Sequence, residues 1–111
     1  MISYALVAAL MIMGPPSGST ASARTAYSHC INDFIKKSLA DKLDSQSFGA
    51  AVANACQAEA TAFRNAVVAK ATTDGFKKAE ADQMGKDEVL DYQINATEMF
   101  SEYSENNTTP S

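Results

Sequence analysis

Few side chains in this 111-residue sequence are of types that do chemistry, and their spacing narrows the choice. Cys30 and Cys56 are the two cysteines. They do not form a C-x-x-C pair, so thioredoxin-type redox chemistry is not expected, and an even count in a short chain points to a disulfide. Zinc sites need about three or four ligands, and a disulfide would consume both thiols, so no metal is expected. His29 is the single histidine; it would have to serve every Ser-His-Asp or Cys-His arrangement alone, which removes both as leading ideas.

Glu59 falls on the apolar stripe of a predicted helix and faces Tyr27 in the register derived below. As chemistry it would be a general acid; as structure it is one half of a core polar pair with Tyr27. The structural reading is preferred because no second catalytic group is placed nearby. Asp87, Glu88 and Asp91 share a helical turn, but the Glu-x-x-His element of di-iron bundles and a glycine-containing calcium loop are both missing, so they read as a solvated acidic face. Gly85-Lys86 is followed by Asp87 and lacks the earlier glycine of a phosphate loop. No cofactor and no catalytic residue are therefore expected, and the chain is read as a non-enzyme.

Those residues must be positioned by what lies after Ala23. The first 23 residues carry no charged side chain. Tyr4 to Met13 is an apolar run, followed by Gly14-Pro15-Pro16 and then Ala21-Ser22-Ala23, the layout of a secretory signal peptide over 1–23 cut before Arg24. Cys30 follows Tyr27-Ser28-His29, not the small and apolar residues of a lipidation signal, so no lipid anchor is expected. No apolar run reaches the ~20 residues of a bilayer span, which predicts no membrane span after cleavage. The location expected is periplasmic or secreted, in agreement with a disulfide.

From Arg24 to Thr109 there is no proline, and the glycines are Gly49, Gly75 and Gly85. With alanine so frequent, the pattern predicts an all-α domain over 24–103: helices at about 26–40, 47–73 and 76–103, and a disordered polar tail over 104–111. Ser47 is expected to cap the second helix and Gly75 to end it in a left-handed conformation. Gly85 leaves two options, a continuous third helix or one that breaks and folds back. If the first two helices are antiparallel about Leu43, facing residues have numbers summing to about 86, and Cys30 and Cys56 satisfy this. The same register places Phe34 opposite Val52, Ile31 opposite Ala55 and Ser38 opposite Phe48. The expected fold is thus a disulfide-stapled antiparallel helical hairpin extended to a three-helix bundle. Closing a loop of this size stabilises by about 3.5 kcal/mol in the chain-entropy model, a large share for so small a core.

At 1.5 Å per residue, the first helix would span roughly 22 Å and the other two about 40 Å each. Phe63 to Lys78 is then expected to continue as an uncovered, alanine-rich arm, hidden by a second copy or a partner. Charge divides along the chain: Arg24–Lys78 holds eight basic and five acidic residues, and Ala79–Ser111 one basic and eight acidic. The acidic half disfavours nucleic acid. The candidate interaction surface is Val67, Val68, Lys70, Lys77 and Lys78 on the arm, with Asp87, Glu88 and Asp91 on the third helix. These features predict an exported, non-catalytic interaction or structural protein whose partner is another protein or a second copy, a homodimer being one form. The alternative is an envelope chaperone or inhibitor-like binder of basic or unfolded clients. A small enzyme using Glu59 and Tyr27 comes third.

Overall fold

Pro16 lacks a backbone N–H and has a φ already suited to a helix, so it fits a first helical turn, where that N–H has no partner. In the computed structural model, which describes residues 16–110, helix α1 (Pro16–Ala40) begins there and runs unbroken through Arg24. The apolar run Tyr4–Met13 of the expected leader lies outside the described residues. Three more helices follow: α2 (Ser45–Val52), α3 (Gln57–Thr73) and α4 (Lys78–Asn106). There is no strand among the described residues.

Turns are built locally. The last turn of α1 is closed by Lys42 N–H to Leu39 C=O and Leu43 N–H to Ser38 C=O, with Lys42 left-handed at φ 58°. The end of α3 repeats the arrangement: Gly75 N–H donates to Thr72, Phe76 N–H donates to Ala71, and Gly75 has φ 101°. That is the C-terminal role expected of Gly75, a residue with no Cβ to oppose positive φ. Asp44, not Ser47, caps α2: its carboxylate accepts from the Ser47 N–H at 2.7 Å. This bond holds Asp44 below the usual carboxylate range.

The disulfide joins Cys30 and Cys56 across α1 and the start of α3, with Cα atoms 6.0 Å apart, as the register required. The same sum relates Thr20 and Ala66, whose hydroxyl and carbonyl meet at 3.4 Å. Arg24 lies 5.5 Å above the Phe63 ring, one residue off that sum. The hairpin register therefore holds from Thr20 to Cys30; beyond that Phe48, expected opposite Ser38, packs on Phe34 one turn away.

Two expectations about length are corrected. The helix expected over 47–73 is two helices, interrupted at Ala53–Cys56, where Cys56 is left-handed at φ 59° and ψ 37°. The interruption lets α2 turn toward α4. Phe48 stacks on Phe100 with centroids 4.3 Å apart, Phe34 packs on Phe48 at 5.4 Å, and Ser45 shares a 2.7 Å hydrogen bond with Ser101. The tail also begins later than 104: α4 continues to Asn106, and Thr108 N–H closes on Tyr103 C=O over a left-handed Asn107.

Gly85 does not break the last helix. It is buried in α4 against α3, and a Cβ there would lie 2.8 Å from Arg64 Cγ and 3.0 Å from both the Arg64 carbonyl oxygen and Val68 Cγ2. Gly85, with buried Ala71 and Ala81, lets α3 and α4 approach closely. The core gathers Tyr27, Ile31, Ile35, Phe48, Phe63 and Phe100. The molecule measures 62 × 30 × 18 Å with a radius of gyration of 17.7 Å, against roughly 12 Å for a compact domain of this size.

Candidate functional site

The sequence places its chemically capable residues on three elements, and the fold brings only some of them together. Tyr27 is fully buried on α1. Its ring packs on Phe63 at 6.0 Å and Tyr92 at 5.5 Å, and its hydroxyl accepts a 3.5 Å hydrogen bond from Gln93 Nε2. Burial pushes the phenol above its ordinary pKa, an effect partly offset by the Gln93 bond. The Tyr27–Glu59 pair expected from the register does not form, because α4 supplies the polar partner instead. Glu59 stands in the first turn of α3 beside the disulfide, its carboxylate within 4.8 Å of the Cys30 and Cys56 sulfurs. Among the described residues it makes no hydrogen bond or ion pair.

In the full chain one side of the arm is covered by turns that include residues before Arg24. Val67 is 8% exposed and belongs to the core cluster. Its cover is α1 itself, 25 residues long rather than 15, whose opening turns lie along α3 through the Thr20–Ala66 contact. Those turns precede the expected cleavage point, so a cut before Arg24 would remove the Thr20 contact and leave Val67 less covered. Val68 is half-buried beside Gly85. Lys70 pairs with Asp74 at 2.7 Å and Lys78 with Asp82 at 3.2 Å, both as exposed neighbours on one helix face. Such pairs are worth little to stability. The Lys77 backbone N–H donates to the Glu80 carboxylate. Lys70 and Val67 of the arm do meet an α4 acid, since they line one shallow groove with Glu88.

Of the three α4 acids in the expected interaction surface, Asp87 accepts from Gln83 on its own helix at 2.9 Å. Glu88 and Asp91 instead edge a groove of about 570 Å³ between α1 and α4. Ile31 and Ile35 from α1, with Tyr92, Ala96 and Met99 from α4, form its apolar walls; His29, Asn32 and Asn95 complete the polar rim. Met99 is 40% exposed. Tyr92 also meets Phe63 edge-on at 5.3 Å, so the groove wall is anchored to the aromatic core. A second groove of about 190 Å³ continues past Glu88 toward the start of α1, lined by Thr20, Arg24, Val67 and Met84.

Sequence reasoning named Glu88 and Asp91 but missed the groove they border. Ile31, Ile35, Tyr92 and Met99 read as core positions from their helical spacing, and nothing in that spacing shows where two helices leave a gap. The charge-free faces of Ser28 and Asn32, flanking buried Ile31, were the available signal. In comparisons with known proteins, no family model, no characterised protein and no solved structure matches the chain. No helix among the described residues is long and apolar enough to cross a membrane.

Proposed function

We propose that this chain is an exported, non-catalytic interaction protein that receives a basic, partly apolar segment of a partner protein in the groove between α1 and α4. The observation that carries this reading is the groove's composition: walls of Ile31, Ile35, Tyr92 and Met99 beneath a rim holding Glu88 and Asp91. Tyr92 and Met99 offer the accessible apolar surface above a buried floor of Ile31 and Ile35, while the carboxylates select for Lys or Arg flanking the apolar residues and steer their approach. Export is supported by the leader-like opening of the sequence and by the disulfide, which persists in oxidising compartments. The enzyme reading loses its pair, since Tyr27 is buried against Gln93 while Glu59 stands at the disulfide.

The test is crosslinking from the native envelope or medium, using a photoreactive residue at Asn95 on the groove rim and a control at Phe76. A product specific to position 95, lost in the Glu88→Lys/Asp91→Lys variant with an unchanged melting temperature, is the expected result. Equal crosslinking at both positions, or indifference to the charge reversal, would remove the groove from the account.

The chaperone reading keeps one observation of its own. Leu90, Ile94 and Met99 are 51%, 48% and 40% exposed on the same acidic helix. If these bind unfolded clients, suppression of client aggregation will fall in Leu90→Ser/Ile94→Ser and persist in the groove variant.

A further inference from the structure

Glu59 is a half-buried acidic side chain beside the disulfide, with no hydrogen bond or ion pair among the described residues. A carboxylate in the first turn of a helix is favoured by the helix dipole, which accounts for its charge but not for its place beside two sulfurs. Cys56, left-handed just before α3, precedes Glu59 by three positions, and the Glu59 carboxylate lies within 4.8 Å of its sulfur. Cys30 reaches them from α1 with its Cα 6.0 Å from that of Cys56. All three donor atoms lie within 4.8 Å of one another and are half-buried.

We propose that, once the disulfide is reduced, Cys30, Cys56 and Glu59 bind a borderline-soft divalent cation of the zinc class, with water as the fourth ligand. Thiolate and carboxylate are both zinc ligands, with Zn–S about 2.3 Å and Zn–O about 2.0–2.2 Å. Around a tetrahedral ion those bonds place the donors roughly 3.5–3.8 Å apart, so the two sulfurs must draw apart from bonding distance on reduction while Glu59 is already within 4.8 Å of both. Helix α1 and the first turn of α3 hold two of the ligands on regular backbone, and the interruption before α3 gives the third room to adjust. The chemistry balances in two steps. A small dithiol reductant gives two electrons and two protons to the Cys30–Cys56 bond, becomes a cyclic disulfide and leaves two protein thiols. The cation then displaces both thiol protons, and the centre carries a net charge of −1 from two thiolates, one carboxylate and a 2+ ion. The site would thus replace the lost crosslink with a metal one, and binding energy would become folding energy.

This inference does not depend on the groove. The test uses the full chain, reduced with a dithiol and titrated with zinc, then with cobalt as a spectroscopic substitute. A one-to-one complex with a thiolate-to-cobalt charge-transfer band, a zinc-dependent rise in melting temperature and slowed thiol alkylation are the expected results. Glu59→Gln should melt normally when oxidised, yet bind zinc on the order of tenfold or more weakly when reduced. Cys30→Ser tests the crossing ligand and should lose the charge-transfer intensity of one thiolate. Zinc binding that is equal in Glu59→Gln, or reduced protein that shows neither the band nor the thermal shift, would overturn the site.

Discussion

The two ends of this elongated bundle are closed by different means. At the disulfide end, large aromatic side chains fill the space: Phe48 is held between Phe34 and Phe100, while Tyr27, Phe63 and Tyr92 form a second cluster nearby. At the arm end the packing rests on what is missing, with Gly85, Ala71 and Ala81 allowing α3 and α4 to meet almost backbone to backbone. The first region gains its stability from buried area and a crosslink, the second from proximity. A chain with 22 apolar side chains larger than alanine beyond Ala23 cannot fill a 62 Å length with aromatics. It concentrates them where α2 doubles the layer and uses small residues elsewhere.

The largest effect expected of a single change is Phe48→Ala. It empties a fully buried site between two rings and should cost about 3–5 kcal/mol, read as a lower denaturant midpoint; a loss below ~1 kcal/mol would mean that α2 contributes little to the disulfide end. On the arm, Gly85→Val should cost about 1–3 kcal/mol, although valine is the better helix former. The Arg64 carbonyl cannot yield as a side chain would. Hydrogen exchange should show the loss first in Val67–Thr73 and not around Cys30. If protection falls equally at both ends, the regions are one cooperative unit and the contrast drawn here is only architectural.

Tyr27→Phe gives the smallest of these effects and sharpens the contrast by pH. The folded protein holds the phenol proton beyond its ordinary value, so the unfolded chain loses that proton first, at about pH 10. Stability from this group is complete below that pH and declines as pH rises through the folded value. Removing the hydroxyl should flatten the alkaline decline of the melting temperature and leave the neutral value nearly unchanged. An identical alkaline profile would show that the loss arises elsewhere.

Much of the helical architecture was legible in the sequence. Alanine and the scarcity of breakers predict helices, Gly75 marks one end, and the positions of Cys30 and Cys56 about Leu43 yield the register. The interruption at Ala53–Cys56 was not legible, because neither glycine nor proline marks it. A left-handed non-glycine residue costs about 1–2 kcal/mol, and here the crosslink and the turning of Phe48 onto Phe100 offset that cost, both tertiary effects. Tyr27 was rightly placed in the core but given the wrong partner, since a two-helix register contains no information about Gln93 on α4. Glu88 and Asp91 could be read as an acidic face; that they border a groove depends on how far α1 and α4 diverge.

The continuity of α1 through Ala21-Ser22-Ala23 bears on processing as a matter of timing. In the folded chain this stretch is wound into the helix, with Ala23 packed against the core. Cutting a peptide bond inside a folded helix requires that helix to open first, so the rate follows the population of the open form. In a chain left uncut, the susceptibility of the bond between Ala23 and Arg24 to a protease is a direct clock for the fraying of α1, and the export proposed above requires the cut to precede folding.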